Sequence, residues 1–164
     1  MAVILVGGGA RSGKSRYSLE LARARGGSLA FIATAERSDD DMSARIDRHR
    51  ADRGPEFVTI EEPIEIVEAI QRSTADAIVV DCLTLWLSNL MAAGRDIAFE
   101  TAKLSSIKTR AAVICVTNEV GCGIHPETSL GRRFRDEAGI LNQRIGAAAD
   151  EIYWMVFGHA LRVK

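Results

Sequence analysis

The sequence predicts an α/β protein of three layers, with helices on both faces of a mostly parallel sheet. Short apolar runs alternate with helical patterns along the chain, and a glycine-rich loop joins the first run to the first helix. Most of these runs are continuously apolar over four to six residues, which is typical of strands buried on both faces. The alternation of such strands with helices is typical of a parallel sheet.

The elements follow in order from this pattern. Strands are predicted over residues 3–6, 29–33, 57–60, 78–81, 113–117 and 152–157, and helices over residues 15–25, 39–52, 63–73 and 83–92. Tyr17, Leu21 and Ala24 share one face of the first helix, and residues 94–98 are predicted to form a loop. The end of the chain reads as two short strands joined by Gly158 and His159, which predicts an antiparallel hairpin at the sheet edge.

Length and composition restrict the class of protein. The 164 residues contain no repeat, low-complexity tract or linker, so we expect a single nucleotide-binding domain over residues 1–164. Lys and Arg number 21 against 22 Asp and Glu, which gives no general attraction to nucleic acid. No apolar run is long enough for a membrane span, and the start lacks the basic region of a signal peptide. Three cysteines without a CxxC pair favour a reducing cytoplasm.

Residues 8–15 match the phosphate-binding pattern GxxxxGK[ST] in full. Glycines allow the tight turn that points backbone N–H groups at phosphates, and the following helix adds a partial positive charge. A chance match in a glycine-rich turn is disfavoured because a strand precedes the motif and a helix follows it. We therefore expect a nucleoside triphosphate (GTP or ATP) to bind at Gly8, Gly9, Ala10, Arg11, Ser12, Gly13, Lys14 and Ser15.

A metal-side carboxylate is expected at Asp81, which ends a buried strand. Ligands of open α/β sheets bind at the carboxyl ends of strands, and a P-loop enzyme needs such a carboxylate for Mg²⁺. The alternative, a helix-capping role, is disfavoured by the presence of the P-loop. The sequence thus predicts a Mg²⁺ site at Ser15 and Asp81. The stretch after residue 116 lacks the NKxD motif of a Ras-like GTPase.

His49 allows two interpretations. It lies in line with Met42 and Ile46 on the predicted helix 39–52, next to Asp52 and surrounded by the arginines Arg45, Arg48, Arg50 and Arg53. Arginines favour the neutral imidazole and attract polyphosphates, and a neutral imidazole can attack phosphorus. A solvated or packing histidine is the other interpretation, which the residues alone favour.

The segment 117–144 is rich in polar residues. Thr117, Asn118 and Glu119 follow a predicted buried strand at the edge where ligands bind, and several arginines and amides come after them. Spacing alone does not decide between a solvated, ion-paired surface and substrate binding. His125 and His159 have no metal-ligand spacing to a second histidine or cysteine, and Cys115 is expected to be a buried thiol.

Five strings resemble one known family in the family's own order: GGARSGKS, RIDRHR, TNEVGCGIHPE, GRRFRDEAG and NQRIGAAADEIYWMVFG. The family is the bifunctional adenosylcobinamide kinase / adenosylcobinamide-phosphate guanylyltransferase of cobalamin biosynthesis. The resemblance spans nearly the whole chain, with residues 91–111 matching least and His125 standing where the family pattern has an aliphatic residue. It implies a RecA-like fold and a homotrimer.

The resemblance implies two reactions. ATP or GTP phosphorylates the aminopropanol hydroxyl of adenosylcobinamide. A histidine then attacks the α-phosphate of GTP, pyrophosphate leaves, and GMP passes from the guanylyl-histidine to adenosylcobinamide phosphate, giving adenosylcobinamide-GDP. The catalytic residues fall on His49 and Lys14. Contacts with the guanine nucleotide fall on Ala33, Thr34, Ala35, Arg50, Ala51, Asp52, Arg53, Glu61 and Asp81.

Two alternative functions remain at this point. In a simpler P-loop kinase, His49 would only contact a phosphate, and γ-phosphate transfer would occur without a covalent nucleotide. In a regulatory nucleotide-binding module, GTP would bind tightly without any corrinoid-dependent product.

Overall fold

The computed structural model describes residues 2–35 and 53–164, and they form a seven-stranded sheet with helices on both faces. The strand order is β3-β2-β4-β5-β1-β6-β7. All neighbouring pairs in this sheet are parallel except β6 and β7, so the predicted parallel sheet and antiparallel hairpin are confirmed. The strands are β1 (Ala2–Gly8), β2 (Leu29–Ala33), β3 (Phe57–Glu61), β4 (Ala77–Asp81), β5 (Ala112–Val116), β6 (Glu151–Val156) and β7 (His159–Arg162).

Five helices connect the strands within the described residues. They are α1 (Lys14–Arg25), α2 (Ile66–Arg72), α3 (Leu83–Ala92), α4 (Ile97–Ser105) and α5 (Ser129–Ala148). The helix predicted over residues 39–52 lies outside the described residues. The predicted loop over residues 94–98 is wrong at its end, because Asp96 caps α4 by accepting a hydrogen bond from the Phe99 N–H. The apolar side chains of Ile97 and Leu104 then bury α4 against the core.

The core consists of one apolar layer on each side of the sheet. Helix α1 covers one face, and the buried side chains of α2 to α5 cover the other. Of the three residues placed on one face of α1 from the sequence, Tyr17 and Leu21 are partly buried and pack against this layer, while Ala24 is exposed. Ser18 and Ala22 of the same helix are fully buried. Lys14, Ser18 and Ala22 lie four residues apart and therefore share one face of the helix. The Lys14 side chain turns into the P-loop.

Parallel pairing aligns the carboxyl ends of five strands in one row. The register places Val6 beside Val116, Val116 beside Asp81, Asp81 beside Ala33, and Ala33 beside Glu61. The sheet thereby gathers residues from distant parts of the sequence along one edge. That is the edge at which parallel α/β sheets bind ligands.

A two-residue turn joins the strands of the C-terminal hairpin. Phe157 and Gly158 occupy the turn with φ angles of 51° and 82°, and positive φ at both positions is typical of a type I′ turn. The predicted junction at Gly158 and His159 is therefore displaced by one residue, since His159 already pairs with Val156. Within the described ranges, no helix combines the length and apolar character needed to cross a membrane.

Candidate nucleotide site

The loop of residues 8–15 connects β1 to α1 in a conformation that its glycines permit. Gly13 precedes the first turn of α1 with a φ of 95°, and Gly8 has a φ of 149°. Glycine adopts such left-handed conformations without the steric cost that a Cβ brings. The first N–H groups of a helix have no acceptor within that helix, so the start of α1 offers donors to an anion in this loop.

Lys14 points its ammonium group back into this loop. The side chain is buried, and its Nζ donates to the Gly9 carbonyl at 2.5 Å and to the Ser12 hydroxyl at 3.4 Å. Burial lowers the pKa of Lys14, and the negative forms of Cys82 and Asp81 partly oppose this. A triphosphate in the loop would supply the counter-charge that this desolvated cation needs.

The two predicted metal ligands lie side by side. Helix α1 packs against β5 and β4. This brings the Ser15 hydroxyl within 3.1 Å of Asp81 Oδ2, although β5 separates β4 from β1, the strand that leads into the P-loop. A hydroxyl and a carboxylate are hard oxygen donors of the kind that Mg²⁺ binds together with phosphates and water. The described residues contain no cluster of three or more acidic, histidine or cysteine side chains that could enclose a metal alone. The pair therefore fits Mg²⁺ held jointly with a nucleotide.

Three predicted nucleotide contacts form a row on β3, β2 and β4. Ala33 pairs with Glu61 on one side and with Asp81 on the other, and neighbouring strands lie about 4.8 Å apart. Ala35 follows in the connection after β2, and Glu61 is exposed. The predicted site residues His49, Arg50, Ala51 and Asp52 lie outside the described residues.

Thr34 fastens the end of β2 to the end of β4. Its buried hydroxyl donates to the Cys82 carbonyl at 2.9 Å and accepts from the Cys82 N–H at 2.8 Å. The Thr34 carbonyl accepts from Asn89 Nδ2 at 2.7 Å, and the same amide group donates to the Pro63 carbonyl at 3.1 Å. Sequence reasoning did not identify Asn89, because its partners come from two separate loops.

Arg53 is fixed against the sheet near this row. It is 3% exposed, and its guanidinium lies 3.9 Å from the centre of the Phe31 ring and donates to the Thr59 hydroxyl at 3.4 Å. Residues two apart on a strand face the same side. Arg53 therefore lies on the face of the sheet that Ala33 and Glu61 share.

The segment after β5 runs directly along the P-loop. The Thr117 N–H donates to the Val6 carbonyl at 3.0 Å, and the Glu119 N–H donates to the Gly8 carbonyl at 3.1 Å. The Thr117 hydroxyl also donates to Asn142 Oδ1 at 2.7 Å, which ties this segment to α5. The polar string that follows β5 thus borders the phosphate-binding loop.

The hairpin turn borders the loop on the other side. A Cβ atom added to Gly13 would lie 3.6 Å from Met155 Cε and 3.7 Å from Gly158 Cα. Phe157, in the same turn, is 97% exposed. No local pattern predicts this contact, because it joins the first loop of the chain to its last hairpin.

The remaining polar residues of the C-terminal half have mixed roles. Arg132 holds the loop before α5, since its guanidinium donates to the carbonyls of Pro126 and Glu127. His125 lies in that loop, with its Nδ1 2.6 Å from an Arg135 guanidinium nitrogen. Cys115 is buried as expected, and burial raises its pKa to about 12.

The family model and the three relatives compared with this chain point to the same family. The family model described as cobinamide kinase / cobinamide phosphate guanyltransferase matches residues 4–163. The bifunctional adenosylcobalamin biosynthesis protein CobP of Pseudomonas aeruginosa is 39% identical over 98% of this chain and 96% of its own length. The bifunctional adenosylcobalamin biosynthesis proteins CobU of Salmonella typhimurium and Escherichia coli are 38% and 36% identical, each over 99% of both chains.

Solved structures with low sequence identity share the fold. The flagellar accessory protein FlaH of Methanocaldococcus jannaschii has a TM-score of 0.51 and 14% identity, over 99% of this chain and 78% of that one. The P4 protein of bacteriophage phi6, solved with ADP, has a TM-score of 0.54 and 16% identity, over 98% of this chain and 54% of that one. The predicted RecA-like P-loop fold is confirmed.

Proposed function

The chain belongs to the cobinamide kinase / cobinamide phosphate guanyltransferase family, and we propose on that basis that it performs both reactions in adenosylcobalamin biosynthesis. The observation that carries the proposal is a complete P-loop whose Ser15 meets Asp81 at 3.1 Å, in a chain that matches the family model from residue 4 to residue 163. The three relatives compared above are named as bifunctional proteins, and this chain covers nearly all of each.

In the kinase reaction, the P-loop holds the β- and γ-phosphates of ATP or GTP, and Lys14 compensates charge on the transferring group. The aminopropanol hydroxyl of adenosylcobinamide attacks the γ-phosphorus while the bond to the β-phosphate oxygen breaks. Ser15 and Asp81 would hold Mg²⁺, which when bound neutralises charge on the phosphate oxygens. The burial of the Lys14 ammonium supports this role, since electrostatic stabilisation is strongest where water is excluded.

In the transferase reaction, His49 attacks the α-phosphorus of GTP and pyrophosphate leaves. The guanylyl group then passes from His49 to adenosylcobinamide phosphate, giving adenosylcobinamide-GDP. A covalent intermediate divides one difficult displacement into two easier ones, and the arginines beside His49 would compensate developing charge. The roles of His49, Arg50, Ala51 and Asp52 are inferred from the resemblance.

The guanine nucleotide is proposed to contact the row formed by Ala33, Glu61 and Asp81. Support comes from their alignment at the carboxyl edge of three adjacent strands and from the buried Arg53 on the same face. Thr34 and Ala35 complete the proposed contact segment after β2. We also propose a cytoplasmic homotrimer: sedimentation should give three times the chain mass, whereas a fully active monomer would contradict it.

Product analysis tests the proposed function. The enzyme is incubated with adenosylcobinamide, Mg²⁺ and either ATP or GTP. The corrinoids are then separated, and their masses are measured by mass spectrometry. We expect a phosphorylated corrinoid first and adenosylcobinamide-GDP with pyrophosphate only when GTP is present. A phosphorylated corrinoid that never receives GMP would identify a simpler kinase. Tight GTP binding without either product would identify a regulatory module.

A further inference from the structure

The attacking hydroxyl of the kinase reaction must lose a proton, and we propose that the Glu119 carboxylate receives it. This inference rests on the proposed function, because it assigns the base for the first of the two reactions. Glu119 lies in the segment after β5, which borders the P-loop.

Two consecutive P-loop carbonyls lie between Glu119 and Lys14, the lysine proposed above to act on the transferring phosphoryl group. The Gly8 carbonyl accepts from the Glu119 backbone N–H at 3.1 Å, and the Gly9 carbonyl accepts from Lys14 Nζ at 2.5 Å. The backbone of Glu119 and the ammonium group are therefore held at adjacent residues of the same loop. The Glu119 backbone therefore borders the loop in which the transferring phosphoryl group is proposed to lie.

The structure also orients this side chain. Glu119 Oε1 accepts a hydrogen bond from the Gly121 N–H at 2.6 Å, and the residue is partly buried. Its neighbour Asn118 donates a backbone hydrogen bond to the Thr84 hydroxyl at 2.9 Å, and Thr117 is tied to Asn142. A base acts efficiently when such supporting contacts hold it in place.

Other described carboxylates at or just after the carboxyl ends of the parallel strands fit the role less well. Asp81 is hydrogen-bonded to Ser15 at the proposed metal position. Glu62 Oε1 accepts from the N–H groups of Ile64 and Glu65. Glu61 lies on β3, four strand spacings from the P-loop strand, or roughly 19 Å. Glu119 follows β5, which is directly adjacent to β1.

The step balances without any further reactant. As the hydroxyl oxygen bonds to the γ-phosphorus, the bond from this phosphorus to the bridging oxygen breaks and its electron pair leaves with the nucleoside diphosphate. The hydroxyl proton moves to the Glu119 carboxylate and then to solvent. The guanylylation of His49 has no hydroxyl to deprotonate, so it does not need this base.

The two reactions can be measured separately, which gives a selective test. Glu119→Gln is compared with Glu127→Gln, which removes the same charge from an exposed position in the same connection between β5 and α5. The kinase assay uses adenosylcobinamide with ATP or GTP, whichever the wild type uses. The transferase assay uses adenosylcobinamide phosphate with GTP. We expect E119Q to reduce kinase kcat by about 10²- to 10⁴-fold, with transferase kcat within about threefold and both activities intact in E127Q.

Glu119→Asp, which keeps a carboxylate, should retain more kinase activity than E119Q. The inference is overturned if E119Q keeps wild-type kinase activity, or if kinase and transferase fall together, because a shared fall indicates a role in nucleotide binding or folding. If the wild-type protein phosphorylates no corrinoid, the proposed function fails and this inference fails with it.

Discussion

Lys14 is buried although it carries a charge. The cost of burying this charge indicates a role in binding phosphate and not in stabilising the fold. Its ammonium is desolvated and bonded only to neutral groups of the loop in the contacts described, the Gly9 carbonyl and the Ser12 hydroxyl. Unlike the apolar residues around it, such a cation adds little to stability, because desolvation offsets the hydrogen bonds. Its value lies in the strong interaction that it would make with phosphate oxygens.

Lys14→Met should therefore separate stability from activity. The substitution keeps the apolar stem and removes the charge, so we expect kcat/KM for nucleotide to fall by about 10²-fold or more in both reactions. The urea midpoint should stay the same or rise. The control Lys108→Met changes an exposed lysine and should leave both quantities unaltered. A variant that unfolds at lower urea while retaining activity would contradict this role.

The backbone conformation of Gly13 leads to a second prediction at the residue scale. Its φ of 95° is a conformation that L side chains rarely adopt, while the space around an added Cβ is ordinary, at 3.6 Å or more. Gly13→Ala should therefore destabilise the protein through its backbone, by about 1–2 kcal/mol, and weaken nucleotide binding by distorting the loop.

A helical glycine provides the control for this substitution. Gly139 lies within α5, and an added Cβ would meet nothing within 4 Å. Gly139→Ala should stabilise by about 0.5–1 kcal/mol, with nucleotide affinity unchanged. Urea denaturation and nucleotide titration of both variants check these signs. Equal stability for the two variants would argue against a strained P-loop glycine.

At the scale of elements, α2 and α4 are joined by a cluster of ion pairs. Lys103 Nζ lies 2.7 Å from Glu68 and 3.1 Å from Glu100, and Arg95 bonds both Glu65 and Glu100. The hydrogen bond from Lys103 is the main cause that lowers the pKa of Glu68. The same contact raises the pKa of Lys103.

This cluster predicts a loss of stability in acid. A carboxyl whose pKa is lower in the folded state stabilises the fold above its ordinary pKa, near 4.5. That stabilisation is lost as the pH falls through the lower folded value. The stability difference between wild type and Glu68→Gln should therefore shrink between about pH 6 and about pH 3. A difference that stays constant over this range would contradict the assignment; Glu20→Gln, in an exposed ion pair, should change little at any pH.

Element boundaries were predictable where a strand or helix is rich in apolar residues. Residues 29–33 and 83–92 were predicted with the bounds that β2 and α3 have in the structure. Helix α4 was missed because its capping residue Asp96 lies in a stretch with weak periodicity. In α1, the apolar residues Tyr17 and Leu21 are only partly buried, whereas Ser18 and Ala22 are fully buried.

At the scale of the molecule, the part of the site that local motifs encode was predicted and the part made by tertiary contacts was not. The P-loop and Asp81 were predictable from the sequence, because the P-loop follows a buried strand and Asp81 ends one. The contacts of Asn89 with Thr34, of Glu119 with Gly8 and of the C-terminal hairpin with Gly13 join distant segments. The strand order, with β5 between β1 and β4, likewise depends on the whole sheet and not on any local pattern.

The central claim is that one chain both phosphorylates a corrinoid and forms a guanylyl-histidine. The most direct measurement incubates the protein with Mg²⁺ and GTP carrying radioactive phosphate at the α or the γ position, then denatures it and tests the retained label for acid lability. We predict acid-labile label from α-labelled GTP alone, lost in His49→Asn and kept in the control His125→Asn. No label from α-labelled GTP, or label that persists in His49→Asn, would contradict the account.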